Sequence, residues 1–242
     1  LKFMIRAGTQ PSVITYNIIL NACAKSGQYD RAEQCLGQMI VSGLEPDFTS
    51  YNSVIDACAG EGQCQRAEYW FEEMWILGIP PTIYTYVGLI RAHLKIGDLT
   101  RAEFWMRELK KSGIALNYVA YLVMISACRK GGNTTMAKQW FEDMKEQGIM
   151  HPKVYTAMIQ VYASKGELQN MHKVFMELRE NNFTPDTYTF NGLIQGCRLS
   201  NDLKRAELYV DMMDELRVKK NEMTLTELLK ICKKLSNTGK AK

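Results

Sequence analysis

An aromatic residue returns along this chain at a nearly constant step: Tyr16, Tyr51, Tyr86, Tyr121, Tyr155 and Phe190 are separated by 35, 35, 35, 34 and 35 residues. Such a period dictates stacked copies of one supersecondary unit, because a unit this short cannot bury an apolar face alone. Other positions travel in phase with it. Eleven residues after the first five aromatics stand Gly27, Gly62, Gly97, Gly132 and Gly166, with Asn201 in the sixth place. Sixteen residues after the aromatic comes a small residue, Ala32, Ala67, Ala102, Ala137 and Ala206, with Met171 the exception. Seven further on lies Met39, Met74, Leu109, Met144, Leu178 or Met213.

Each unit has two helical halves. Tyr16, Ile19, Leu20 and Cys23 fall at i, i+3, i+4 and i+7, one face of an α-helix. Gly27 ends that helix by accepting a left-handed backbone, and Asp98, Asn133 and Asp202, just past the equivalent place, are suited to cap a second helix. The second helix carries Ala32, Leu36 and Met39 on one face, and the Gly43–Asp47 turn closes the unit. The expected fold is all-α: one α-solenoid of stacked antiparallel helix pairs over residues 1–242, with twelve helices between residues 13 and 221 and no strand. Its repeats are 13–47, 48–82, 83–117, 118–151, 152–186 and 187–221. Residues 1–12, with Met4, Gly8 and Pro11, read as the end of a preceding repeat, and 222–242 as a terminal first helix with a basic tail. The chain therefore reads as a piece of a longer array.

Composition narrows the function. A 46% hydrophobic content suffices for one elongated solenoid, and no run approaches the ~18–20 apolar residues of a membrane span. The net charge of +4 is concentrated: residues 217–242 hold eight Lys/Arg against two Glu, leaving the solenoid body slightly acidic. Attraction for phosphate would rest on the placement of a few cations, not on bulk charge. Of seven cysteines, Cys23, Cys58, Cys128, Cys197 and Cys232 share one core-facing repeat position, where His93 and Tyr162 stand in the other units. That is a packing role. With no C-x-x-C and no even disulfide framework, a zinc site is not expected and a reducing compartment is.

Other signals have structural readings. Trp70, Trp105 and Trp140, with Tyr209 in the same slot, belong to second helices and imply core or inter-repeat contacts. Glu72-Glu73 and Glu142-Asp143 fit a solvated outer face, and the recurring Arg-Ala-Glu (31–33, 66–68, 101–103, 205–207) fits surface ion pairs. The stretch GEGQCQ at 60–65 lacks the third glycine of a dinucleotide loop. His151 and His172 lack the spacing of metal or catalytic partners. No nucleophile, base, metal or cofactor is assigned, and the chain is expected not to be an enzyme.

One face is unaccounted for. Ile14, Asn17, Asn21 and Lys25 form a stripe opposite the core, and first helices stacked side by side would line one groove with such stripes. Tyr-Asn early in the first helix, Lys before Gly, an Ala-rich second helix ending in Met, and Gly-x-x-Pro-Asp together resemble the pentatricopeptide repeat family over residues 1 to about 235. The tetratricopeptide repeat shares the Ala, but its Trp and Leu-Gly are absent here. The resemblance implies a right-handed superhelix that binds single-stranded RNA, one base per repeat, in a mitochondrion or plastid, with roles in transcript processing, stability or translation.

In that family the residue after the aromatic and the last residue of the unit contact the base edge, and the second residue of the unit wedges between bases. The implied reading pairs are Asn17 with Asp47, Asn52 with Thr82, Val87 with Asn117, Leu122 with His151, Thr156 with Asp186, and Asn191 with Asn221. In the fourth unit either His151 or Pro152 takes the last place. The implied wedges are Ile14, Thr49, Tyr84, Val119, Lys153 and Tyr188; Lys25, Lys95, Lys130 and Arg198 are placed to meet phosphates. An ionised Asp only accepts, which suits uracil or guanine. The implied hexamer is U, a weak pyrimidine, two undetermined bases, G and a pyrimidine. Val87 and Leu122 cannot hydrogen-bond to a base, which leaves a second reading open: a scaffold subunit of a larger ribonucleoprotein or protein assembly, contacting mainly protein. Neither reading involves a membrane or a small-molecule substrate.

Overall fold

The computed structural model describes the backbone of residues 8–239 and the side chains of residues 8–233. Met4 and the basic tail beyond residue 233 lie outside the described side chains. Among the described residues there are thirteen helices and no strand, twelve of them in the span expected. In chain order they are α1 Val13–Lys25, α2 Tyr29–Val41, α3 Phe48–Gly60, α4 Cys64–Ile76, α5 Ile83–Ile96, α6 Leu99–Lys111, α7 Tyr118–Gly131, α8 Thr134–Glu146, α9 Pro152–Lys165, α10 Leu168–Glu180, α11 Thr187–Leu199, α12 Leu203–Glu215 and α13 Glu222–Gly239.

Local chemistry sets the boundaries. Asp98, Asn133 and Asp202 accept from the backbone N–H three residues on, at 2.9, 3.1 and 3.0 Å, and so open α6, α8 and α12. Gly27 follows α1 at φ 68°, and Asn201 takes the matching place after α11 at φ 57°, the residue other than glycine that best tolerates this conformation. The chain groups into two compact units, Leu1–Leu116 and Asn117–Lys242. Their boundary falls within one residue of the end of the third repeat, as suits an architecture in which each repeat packs only on its neighbours.

In the first unit α1, α3 and α5 pack side by side; α2, α4 and α6 pair with them, and α2 and α4 also touch the next first helix. The second unit repeats the plan: α7, α9, α11 and α13 form the first-helix layer, backed by α8, α10 and α12. The recurring sequence positions are its core. Tyr51, Tyr121, Tyr155 and Phe190 are buried, as are Cys58, Cys128 and Cys197 and the small residues Ala67, Ala102, Ala137 and Ala206. Buried tyrosine hydroxyls find acceptors, Tyr121 on Asp143 at 2.8 Å and Tyr155 on Glu177 at 3.1 Å. Cys232 departs from the core role expected of its slot. It is exposed, because no described element covers that face of α13.

The Arg-Ala-Glu signature does more than decorate the surface. Glu33 accepts from Trp70 Nε1 of the next repeat at 2.8 Å and pairs with Arg66. Glu68 accepts from Trp105 Nε1 and Arg101 Nε, both at 3.0 Å, and meets the buried His93 Nε2 at 3.1 Å. Burial alone would raise the Glu68 pKa, but the bonds from Trp105, Arg101 and His93 outweigh it and hold the carboxyl below its usual range. Glu33 and Glu68 thus each join two repeats through a tryptophan and an arginine, while Glu103 pairs with Arg107 of its own helix, Arg31 turns to Gln28 and Arg205 to Asp202.

Candidate nucleic-acid interface

The last residue of each repeat is the N-cap of the following first helix. Asp47, Thr82, Asn117, His151, Asp186 and Asn221 stand immediately before α3, α5, α7, α9, α11 and α13. His151 rather than Pro152 takes this place in the fourth repeat, with Pro152 at the first helical position, where its missing N–H is harmless.

Capping carries Asp47, Thr82 and Asn221 directly to the polar stripe of the preceding first helix, and Asp186 to it through a neighbouring threonine. Asn17 Nδ2 donates to Asp47 Oδ1 at 3.1 Å, 30 residues away, and Asn17 Oδ1 accepts from Ser50 Oγ at 2.6 Å. The arrangement recurs twice. Asn52 Nδ2 donates to Thr82 Oγ1 at 3.0 Å and its Oδ1 accepts from Thr85 at 2.6 Å. Asn191 Nδ2 donates to Asn221 Oδ1 at 3.2 Å and its Oδ1 accepts from Thr224 at 2.6 Å. In the fifth repeat Thr156 and Asp186 meet through Thr189, whose hydroxyl lies 2.7 Å from Thr156 Oγ1 and donates to Asp186 Oδ1 at 2.8 Å.

Four of the six expected pairs are therefore brought together, three directly and one through a threonine. Val87 is buried, so its place offers no surface to a ligand, and Asn117 caps α7 by accepting from the Val119 N–H at 2.9 Å. Leu122 is half-buried; its partner His151 is stacked on Tyr118 instead. Ser50, Thr85, Thr189 and Thr224 were not among the residues expected at the site, although a Ser or Thr three residues after a capping residue is a capping-box signal that the sequence displays.

Each triad leaves part of itself open. An asparagine side chain has two N–H groups, and one is committed. Asn17 and Asn52 are half-buried, whereas Asn191 is buried and its partner Asn221 is exposed. Burial alone would raise the Asp47 pKa, but bonds from the Ser50 amide, the Asn17 side chain, the Ser50 hydroxyl and the Thr49 amide outweigh it and keep the carboxyl below its ordinary range. Asp47 is then a fixed acceptor at neutral pH.

Apolar groups flank the triads. Ile14, Tyr84 and Tyr188 are 71%, 64% and 65% exposed, so their apolar surfaces are open to a ligand. Thr49 and Lys153 are exposed and Val119 is half-buried. In the second unit Tyr188, Asn191, Gln160, Arg129 and Met223 line an open cleft of about 850 Å³ on the first-helix face. Lys25, Lys95 and Lys130 are exposed. Arg198 differs: its Nε donates to Glu227 at 2.5 Å, so its charge is compensated by α13.

Against known proteins, the pattern of the PPR repeat family matches residues 11–60, 46–95 and 153–198. The PPR repeat matches 84–114 and 119–149, and the pentatricopeptide repeat domain matches 180–235. The chain belongs to the pentatricopeptide repeat family.

A mitochondrial pentatricopeptide repeat-containing protein of Arabidopsis thaliana is 28% identical over 67 residues, which is 28% of this chain and 6% of that protein. The crystal structure of the maize pentatricopeptide repeat protein PPR10 superposes with a TM-score of 0.68 at 23% identity, over 93% of this chain and 32% of that one. The pentatricopeptide repeat domain of Arabidopsis protein-only RNase P 1, solved in complex with tRNA, gives a TM-score of 0.60 at 15% identity, over 74% of this chain and 95% of that one. At these identities the likeness is one of fold. The chain spans about a third of PPR10 and a small fraction of the Arabidopsis mitochondrial relative.

Proposed function

We propose that this pentatricopeptide repeat chain binds single-stranded RNA on the faces built by its first helices, one base per repeat, within a mitochondrion or plastid. There it would act in transcript processing, stability or translation, by binding and without turnover of its own. The observation that carries this reading is the set of side-chain triads: Asn17–Asp47–Ser50, Asn52–Thr82–Thr85 and Asn191–Asn221–Thr224 repeat one hydrogen-bonded geometry at helical-repeat spacing. Fixed amide and carboxylate groups beside exposed Ile14, Tyr84 and Tyr188 are what base-edge recognition with stacking requires. Lys25, Lys95 and Lys130 would meet phosphates and position the strand without reading it.

Selection from a randomised single-stranded RNA library tests the reading. Uracil is expected at the first position, from Asn17 with Asp47, and guanine at the fifth, from Thr156 with Asp186. Base-independent binding, or none, contradicts it.

A second reading, docking in a protein assembly, is favoured by one observation. Val41, Trp75, Ile76 and Leu77, at and just past the ends of α2 and α4, are exposed apolar groups away from the triads. Retention of RNA preference in a Trp75→Ser, Ile76→Ser variant would separate the two surfaces.

A further inference from the structure

The fourth repeat, whose Leu122 has no polar atom, is silent by the reading above; its His151 is built differently from the equivalent Asp47 and Asp186. Two contacts fix the His151 ring. It lies parallel to the Tyr118 ring, with centroids 3.6 Å apart and planes 4° from coplanar. Its Nδ1 accepts the backbone N–H of Lys153 at 3.3 Å. Three residues on stands Val154, where Ser50 and Thr189 supply hydroxyls to the sites of the first and fifth repeats, so no side chain completes a capping box.

An N–H donated to Nδ1 requires a lone pair there, which places the proton of a neutral imidazole on Nε2. Burial, and secondarily the nearby Lys153 charge, lower the His151 pKa and favour that neutral form. The half-buried residue therefore offers, in the place where Asp47 and Asp186 offer acceptors, one donor with no protein partner among the described residues.

We propose that His151 makes the fourth repeat selective for adenine or cytosine over uracil and guanine by donating Nε2–H to the ring nitrogen at the centre of the base's pairing edge. That nitrogen is an unprotonated acceptor in adenine and cytosine. In uracil and guanine it carries a hydrogen that would face the imidazole N–H, donor against donor. The inference rests on the reading of RNA proposed above and adds a base class to a repeat which that reading leaves undetermined. The stack on Tyr118 removes the ring's rotational freedom, so the donor is preorganised.

The test selects RNA from a library randomised at six positions with the full chain and two variants, each checked for helical content. Adenine plus cytosine should be enriched at the fourth position by about 3- to 10-fold, the worth of one hydrogen bond made or lost. His151→Asp retains a capping residue and should reverse the preference toward uracil and guanine. His151→Phe retains the stack and should abolish preference at that position alone. Nitrogen-15 NMR of the unbound chain should show the Nε2–H tautomer. Preference at the first and fifth positions without any at the fourth, or the Nδ1–H tautomer, overturns the role of His151 and spares the general reading. Loss of preference at all positions overturns both.

Discussion

Asn17 and Ser50 are joined by a hydrogen bond of 2.6 Å from the serine hydroxyl to the amide oxygen, while the same amide donates to Asp47. That bond fixes the orientation of the amide: its oxygen is turned to Ser50, and one N–H is left for a ligand. Ser50→Ala should release the amide and remove one half of a capping box, costing about 1–2 kcal/mol. Chemical denaturation should show that loss, and RNA selection should show weaker discrimination at the first base. Unchanged stability would mean that the triad is not held as described.

Acid should remove the Asp47 contribution in a defined direction. Its folded-state pKa lies below the ordinary 3.8, so the stabilisation is complete above that value and disappears as pH falls through the lower folded one. The difference in melting temperature between the wild type and Asp47→Asn should be constant down to about pH 5 and shrink below about pH 4. A difference that grows on acidification contradicts the assignment.

Glu68 should be one of the costlier surface-proximal residues to lose. Glu68→Ala would strip Trp105 Nε1, Arg101 Nε and His93 Nε2 of a shared acceptor, and leaving buried donors unpaired should cost about 2–3 kcal/mol. Thermal unfolding of this variant beside Glu72→Ala, on the solvated face of the same helix, checks it. Equal melting temperatures would sink the claim that Glu68 ties the repeats.

Arg217 occupies a left-handed backbone position, φ 54°, where Gly43, Gly78, Gly113 and Gly148 stand in earlier repeats. Arg217→Gly should stabilise the chain by about 0.5–1 kcal/mol, the strain relieved less the added freedom of the unfolded glycine. Equilibrium unfolding that places the variant below the wild type would show the conformation to be unstrained.

Much of this was legible in the sequence because repetition multiplies a weak signal. One Tyr-Asn means little, but six aromatics in phase with a glycine and a small residue fix the helix pairs, and Asn201 in the glycine slot proved to have the glycine's backbone. The pairing of Asn17 with Asp47 rested on family resemblance; what the sequence reading missed was its cause. Asp47 must cap α3, and capping is what delivers it to Asn17. The hydroxyls of Ser50 and Thr224 stand at capping-box positions in the sequence, but only the folded cap shows that they also reach Asn17 and Asn191. The exposure of Cys232 is not legible in the sequence, because burial depends on what packs over a helix, which periodicity within that helix does not reveal.

The central claim is that capping residues of the first helices read bases, and Asp186 tests it most directly. One Asp186 oxygen is engaged by Thr189, so Asp186→Asn should keep the cap through its Oδ1 while replacing an acceptor by a donor at the other position. Selection from randomised single-stranded RNA should then show the fifth base move from guanine toward adenine, with uracil at the first base unchanged as an internal control. A fifth-position preference that is absent in the wild type, or identical in the variant, would contradict the account.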